Sequence, residues 1–177
     1  MCDSEGLRTI MTINYQIISS SVWQLVFDIV NDRTLVTDPR NSNGTRTFVY
    51  DSDPLQKSFE FSGLPYIVLE IPTVEYGAQS PDANYAIFKW KLKLIVRTAK
   101  DGSAGTRIDT GRADMFTITD SLHKTFQNLT VKNTWRNNKL YSVTLNSLGT
   151  DTIVIDQRIM YEVSFEVNGS SRIKTNA

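Results

Sequence analysis

Tyr85-Ala-Ile-Phe-Lys-Trp-Lys-Leu-Lys-Leu-Ile-Val-Arg-Thr98 repeats with a period of two. Phe88, Trp90, Leu92, Leu94 and Val96 share one parity, and Lys89, Lys91, Lys93 and Arg97 share the other. A strand with one face on a core has this pattern, and only Ile95 interrupts the basic face. At about 3.3 Å per residue the segment spans about 45 Å, longer than an ordinary strand, so it is expected to cross a whole sheet.

The rest of the chain is read around that strand. Its 177 residues, 40% apolar and 21% charged, suit one domain with a sizeable core. Nineteen basic and 19 acidic side chains balance, so net charge points to neither nucleic acid nor a membrane surface. Cys2 and His123 are the sole cysteine and histidine, which excludes an internal disulfide framework and a zinc site built from Cys and His of one chain. Residues 1–6 have neither a basic nor an apolar signal region, and no run approaches the ~20 apolar residues of a membrane span. An intracellular, soluble chain is expected. Met11 is a second place at which translation can begin, and residues 1–14 are read as an N-terminal arm, 15–167 as a single domain and 168–177 as a flexible tail. The Asn43, Asn128 and Asn168 glycosylation patterns are read as ordinary polar positions.

Before the long strand, Ile18, Val22, Leu25, Val26, Ile29 and Val30 predict one apolar helix face within 15–30, with Ser19, Ser20 or Ser21 as a candidate N-cap. Asn31-Asp-Arg ends that helix, and the turn-rich 37–45 follows as a surface loop. Residues 45–50 predict a short edge strand with Phe48 and Tyr50 on one face, and 66–75 a strand buried on both faces at its start. Pro72 puts the far end of that strand at an edge or a bulge. Residues 77–84 loop back to the long strand.

After it, 99–107 is polar and flexible, and Asp109 or Thr110 caps a helix whose face carries Met115, Ile118, Leu122, Phe126 and Leu129. Tyr141, Val143 and Leu145 predict a strand, 147–151 a turn, and 152–167 a closing strand with Ile159, Tyr161, Val163, Phe165 and Val167 on one face. Glu162 and Glu166 stand opposite that face and would complement Lys89, Lys91 and Lys93 if the two long strands are neighbours. The order predicts an α+β fold, a mainly antiparallel sheet with two principal helices on one face.

The sequence contains no phosphate loop, nucleophile elbow, His-Glu-x-x-His helix or calcium loop. Glu70 and Glu75 are read as solvated strand positions and His123 as a surface histidine. A structural protein is expected, not an enzyme, with no cofactor and no metal.

The early helix, Val36-Thr-Asp-Pro-Arg-Asn leading to Phe48-Val-Tyr, the stretch Ser58-Phe-Glu-Phe-Ser-Gly-Leu-Pro-Tyr-Ile-Val-Leu-Glu, the long strand, the helix and the closing hairpin together resemble a tail terminator (tail completion) protein of tailed bacterial or archaeal viruses. Related neck proteins share the plan. The resemblance implies a virion protein of the tail and neck, assembled in the host cytoplasm. Such a protein forms a ring, commonly a hexamer, that caps the tail tube protein and meets the head-tail connector. A ring joint is heterologous, which suits strand edges and projecting loops. Pro39, Arg40, Asn43, Gly44, Gln79, Pro81, Lys100, Asp101, Arg107 and both termini are the candidate interface, although each loop is equally well read as solvent-facing. Lys89, Lys91 and Lys93 line either a lumen, with at most weak contact to passing DNA, or plain solvent. Two alternatives stand beside this reading: a tail-tube or other neck subunit, and a small monomeric binding module or hydrolase marked by a pocket with a perturbed carboxylate or His123.

Overall fold

The computed structural model describes residues 4–41, 46–55, 63–79, 85–100, 110–155 and 158–174. In chain order the elements are α1 (Ser4–Asn31), β1 (Val49–Tyr50), β2 (Tyr66–Leu69), β3 (Thr73–Gln79), β4 (Tyr85–Ala99), α2 (Thr110–Gln127), α3 (Leu129–Asn137), β5 (Leu140–Ile155) and β6 (Arg158–Lys174). The fold is α+β: one six-stranded sheet in the order β1-β2-β4-β6-β5, with β3 also pairing β4. Every pairing is antiparallel except β1 with β2.

β4 is the spine of this sheet. β6 pairs along all of it, from Tyr85↔Lys174 to Ala99↔Met160, while β2 and β3 share its other side. Its alternation does what the sequence predicts: Phe88, Trp90, Leu92, Leu94 and Val96 are buried in the main core with side chains of all three helices. Those helices lie on one face of the sheet. Ile95 has a separate reason for its place, because Tyr66, Val68 and Ile95 form a second, smaller cluster on the opposite face, packed by Tyr50, Leu55 and Leu64.

The predicted apolar face of α1 is observed: Ile18, Val22, Val26, Ile29 and Val30 are buried. The helix extends N-terminally to Ser4, however, so the serines do not cap it. The predicted 66–75 strand is split at 70–72 into β2 and β3, both still on β4, because Pro72 has no N–H for the ladder. α1 repairs the gap: Ser19 Oγ donates to Pro72 O (3.2 Å) and Trp23 Nε1 to Leu69 O (3.3 Å). β1 is an edge strand as expected but shorter, and Phe48 joins Val49 in the main core instead of sharing the face of Tyr50.

The last third departs further from expectation. The helix predicted to reach Leu129 ends at Gln127, and Asn128 starts α3, its side chain accepting from Thr130 N at 2.8 Å. The anticipated turn at 147–151 is a bulge, so β5 continues to Ile155 and pairs with β6 beyond it. A second bulge between Tyr141 and Thr144 shifts the register: Tyr141 lies opposite Ser170 and Leu145 opposite Val167, so they do not share a face. The tail read as flexible is strand as far as Lys174, because all of Asn168 to Lys174 pair with β4, and Asn168, Ser170 and Ser171 pair with β5 as well.

Candidate assembly surfaces

The helix-free face of the sheet carries the lysines. Lys89 and Lys91 are exposed and Lys93 is half-buried. The predicted neighbourhood of β4 and β6 is observed, with a changed pairing: Lys93 lies opposite Glu166, but Glu162 lies opposite Arg97. Lys89 is flanked by Glu75 and Ser170, and Lys91 by Thr73 and Asn168. Acids therefore stand beside two of the three lysines, and the comb is a mixed polar surface, not a continuous phosphate track. A shallow hollow of about 450 Å³ opens on it, lined by Thr73, Glu75, Lys89, Lys91, Asn168 and Ser170 among others.

Further along the same face the basic row goes under cover. Arg97 is 7% exposed. Its Nε donates to Glu162 Oε2 at 2.8 Å, and its Nη1 donates to Asp53 Oδ2 and to Tyr66 Oη. Tyr66 Oη donates in turn to Asp53 Oδ1 at 3.1 Å. Burial pulls the guanidinium toward deprotonation, but the hydrogen bonds to Tyr66, Asp53 and Glu162 outweigh it and hold the group above its ordinary range. Burial pushes the Tyr66 phenol up to about 12, against the opposing pull of Arg97. This cluster ties the 50–55 segment to the sheet and is structural in character.

The two lateral edges of the sheet differ. One carries β3, with Ile71 77% exposed in the break before it and Tyr76 41% exposed on it. The other is β5, which in Leu140–Ile155 has a single charged residue, Asp151, and no proline or lysine, the usual guards of an open edge. Val154 and Ile159, paired across β5 and β6, are exposed beyond the reach of α2. Beside them runs a groove of about 640 Å³ between α2 and the outer hairpin, whose floor includes Met115, Tyr161, Val163 and Phe165 and whose wall includes the exposed Phe116. His123 borders it, exposed, with its ring edge-on to Phe165 at 5.6 Å.

The loop residues proposed from sequence fall differently. Pro39 is half-buried and Arg40 exposed, but Arg40 Nε donates to Asp114 Oδ2 at 2.6 Å. Its loop is stitched down: Asp38, its side chain 1% exposed, accepts from Arg46 Nε at 2.7 Å, Thr37 N donates to Ser121 Oγ, and Thr125 Oγ1 donates to Leu35 O. This part of the loop belongs to the fold, because its carboxylate is buried among guanidinium groups. Gln79 is the last residue of β3, opposite Ala86, not part of a loop. Lys100 is exposed, donates its N–H to Ile159 O and sets its ammonium over the Tyr161 ring at 5.8 Å, where the Arg112 guanidinium also lies. Asn43, Gly44, Pro81, Asp101 and Arg107 lie outside the described residues. Sequence reasoning missed Ile71, Phe116, Val154 and Ile159. The uncharged run Thr152-Ile-Val-Ile155 was the available signal for the last two.

Among the described residues no group of three or more His, Cys, Asp or Glu side chains could hold a metal ion, and no helix is long and apolar enough to cross a membrane. In comparison with known proteins, no family model and no curated sequence matches the chain significantly.

Proposed function

We propose that this chain is a tail terminator subunit: it forms a closed ring, six copies in the form such rings commonly take, that caps a tail tube and offers a docking surface to the head connector. The observation that supports this is the pair of unlike sheet edges with exposed apolar side chains, Tyr76 on one with Ile71 just before it, and Val154 on the other with Ile159 of β6 beside it. A surface that meets its own copy through two different patches builds rings or filaments, whereas a two-fold dimer needs one self-complementary patch. The order of elements read from the sequence, on which the resemblance to the family rests, supports the same reading. The mixed-sign lysine face fits a lumen that DNA passes without being held, since each fixed phosphate contact would add salt-sensitive affinity.

Light scattering across a concentration series, with particles imaged from the same sample, tests the proposal. Closed rings of uniform size are expected. Open filaments would favour a tube subunit instead. A monomer that also fails to bind the ends of added tail tubes would overturn the assignment and favour a binding module.

A further inference from the structure

We infer that the joint between ring subunits is a continuation of the sheet itself: the outer edge of β5 pairs antiparallel with the outer edge of β3 of the next copy, with helix faces aligned. The inference rests on the ring reading and adds to it the two strands that meet.

Strand direction is the first support. β3 is antiparallel to β4, β4 to β6, and β6 to β5, so β3 and β5 run in opposite directions. A rotation from copy to copy that preserves strand direction therefore brings β5 against an antiparallel β3. The second support is the match of faces. Val74 and Tyr76 pair with Trp90 and Phe88, and Thr152 and Val154 pair with Tyr161 and Ile159, so all four lie on the helix side of the sheet. The exposed Tyr76 and Val154 would then be diagonal neighbours on the helix side of a joined sheet, next to the groove walled by Phe116.

The bulges delimit the joint. β3 keeps an unbroken ladder from Thr73 to Tyr76, and β5 from Gly149 to Ile155. Val74 opposite Val154 and Tyr76 opposite Thr152 lays all of Thr73–Tyr76 on Thr152–Ile155. That register also offsets Glu75, opposite Ile153, from Asp151, so the two like charges are diagonal and not directly opposite. Main-chain bonds would give such a joint its strength and the alternate side chains its register.

The test uses Tyr76→Lys and Val154→Lys, each placing a charge on one edge only, studied by sedimentation velocity singly and as an equimolar mixture, with circular dichroism verifying the fold. Each variant alone is expected to lose all species above the monomer. The mixture is expected to give heterodimers and stop there, since each pair has one intact β5 meeting one intact β3. Thr152→Lys provides an independent second variant on the β5 edge. Assembly of either lysine variant like wild type, or no heterodimer from folded partners, overturns the strand joint while wild-type rings still support the terminator reading. Wild-type protein that assembles neither alone nor on tube ends removes both.

Discussion

Replacing Arg97 by leucine removes the guanidinium from a cluster that holds two carboxylates out of water. The side chains of Arg97, Asp53 and Glu162 are 8%, 11% and 17% exposed, so neither acid can recover its hydration without movement of the 50–55 segment or of β6. Breaking a buried pair by deleting one partner costs about 3–5 kcal/mol, because the remaining charge is left uncompensated. Here two acids lose the guanidinium. Asp53 keeps the Tyr66 hydroxyl as a donor, while Glu162 Oε2 is deprived of the Arg97 Nε–H. A loss of about 4 kcal/mol is expected, a large share of the ~5–15 kcal/mol of a typical domain. With a urea slope of about 2 kcal/mol/M, the unfolding midpoint falls by about 2 M. Arg97→Leu combined with Asp53→Asn and Glu162→Gln removes all the charges together and should recover most of the loss, since a neutral set has no stranded ion. A single-variant cost below about 1 kcal/mol, the range of solvent-exposed pairs, would refute the claim that this cluster is dry.

Further predictions concern the fold and its pH response. Gly111→Ala places a methyl 1.4 Å from the Ala99 carbonyl oxygen, so α2 must lift from the end of β4 and break the Thr98 Oγ1 to Gly111 O bond; a lowered melting temperature is expected, where an ordinary helical glycine would gain from alanine. Tyr66 is easier to keep protonated in the folded state than in the unfolded one, so its stabilising contribution is complete below pH 10 and is lost as pH rises toward about 12. Denaturation curves between those values should show the decline, and Tyr66→Phe should abolish that component. Asn128→Ala removes the cap of α3 and should cost about 1 kcal/mol by urea titration. Gly169→Ala brings a methyl 2.6 Å from the Trp90 ring and should cost about 1–3 kcal/mol as overpacking.

Much of this architecture is legible in the sequence because it is written in periodicity. The alternation of 88–97 specifies a strand with one buried face, the spacing from Ile18 to Val30 a helix, and that from Met115 to Phe126 another. Pro72 announces the interruption of its strand through its missing N–H. Turn-like composition was a poorer guide at 147–151 and 168–174. Such residues tolerate an extended backbone, and there the ladders offered by β6 and β4 outweighed local preference. Asn128 shows the same limit: its cap is legible only once the helix before it is known to stop. The edges decide the candidate assembly surface, and they were beyond sequence reasoning because exposure of a strand depends on which strands it lacks as neighbours. Val154 and Tyr76 look like ordinary alternating positions until the sheet order puts β5 at one end and leaves β3, among the described strands, paired with β4 alone. Arg97 was one more basic position by sequence. Only the tertiary structure, folding Asp53, Tyr66 and Glu162 around it, turned a solvent-facing charge into a buried one.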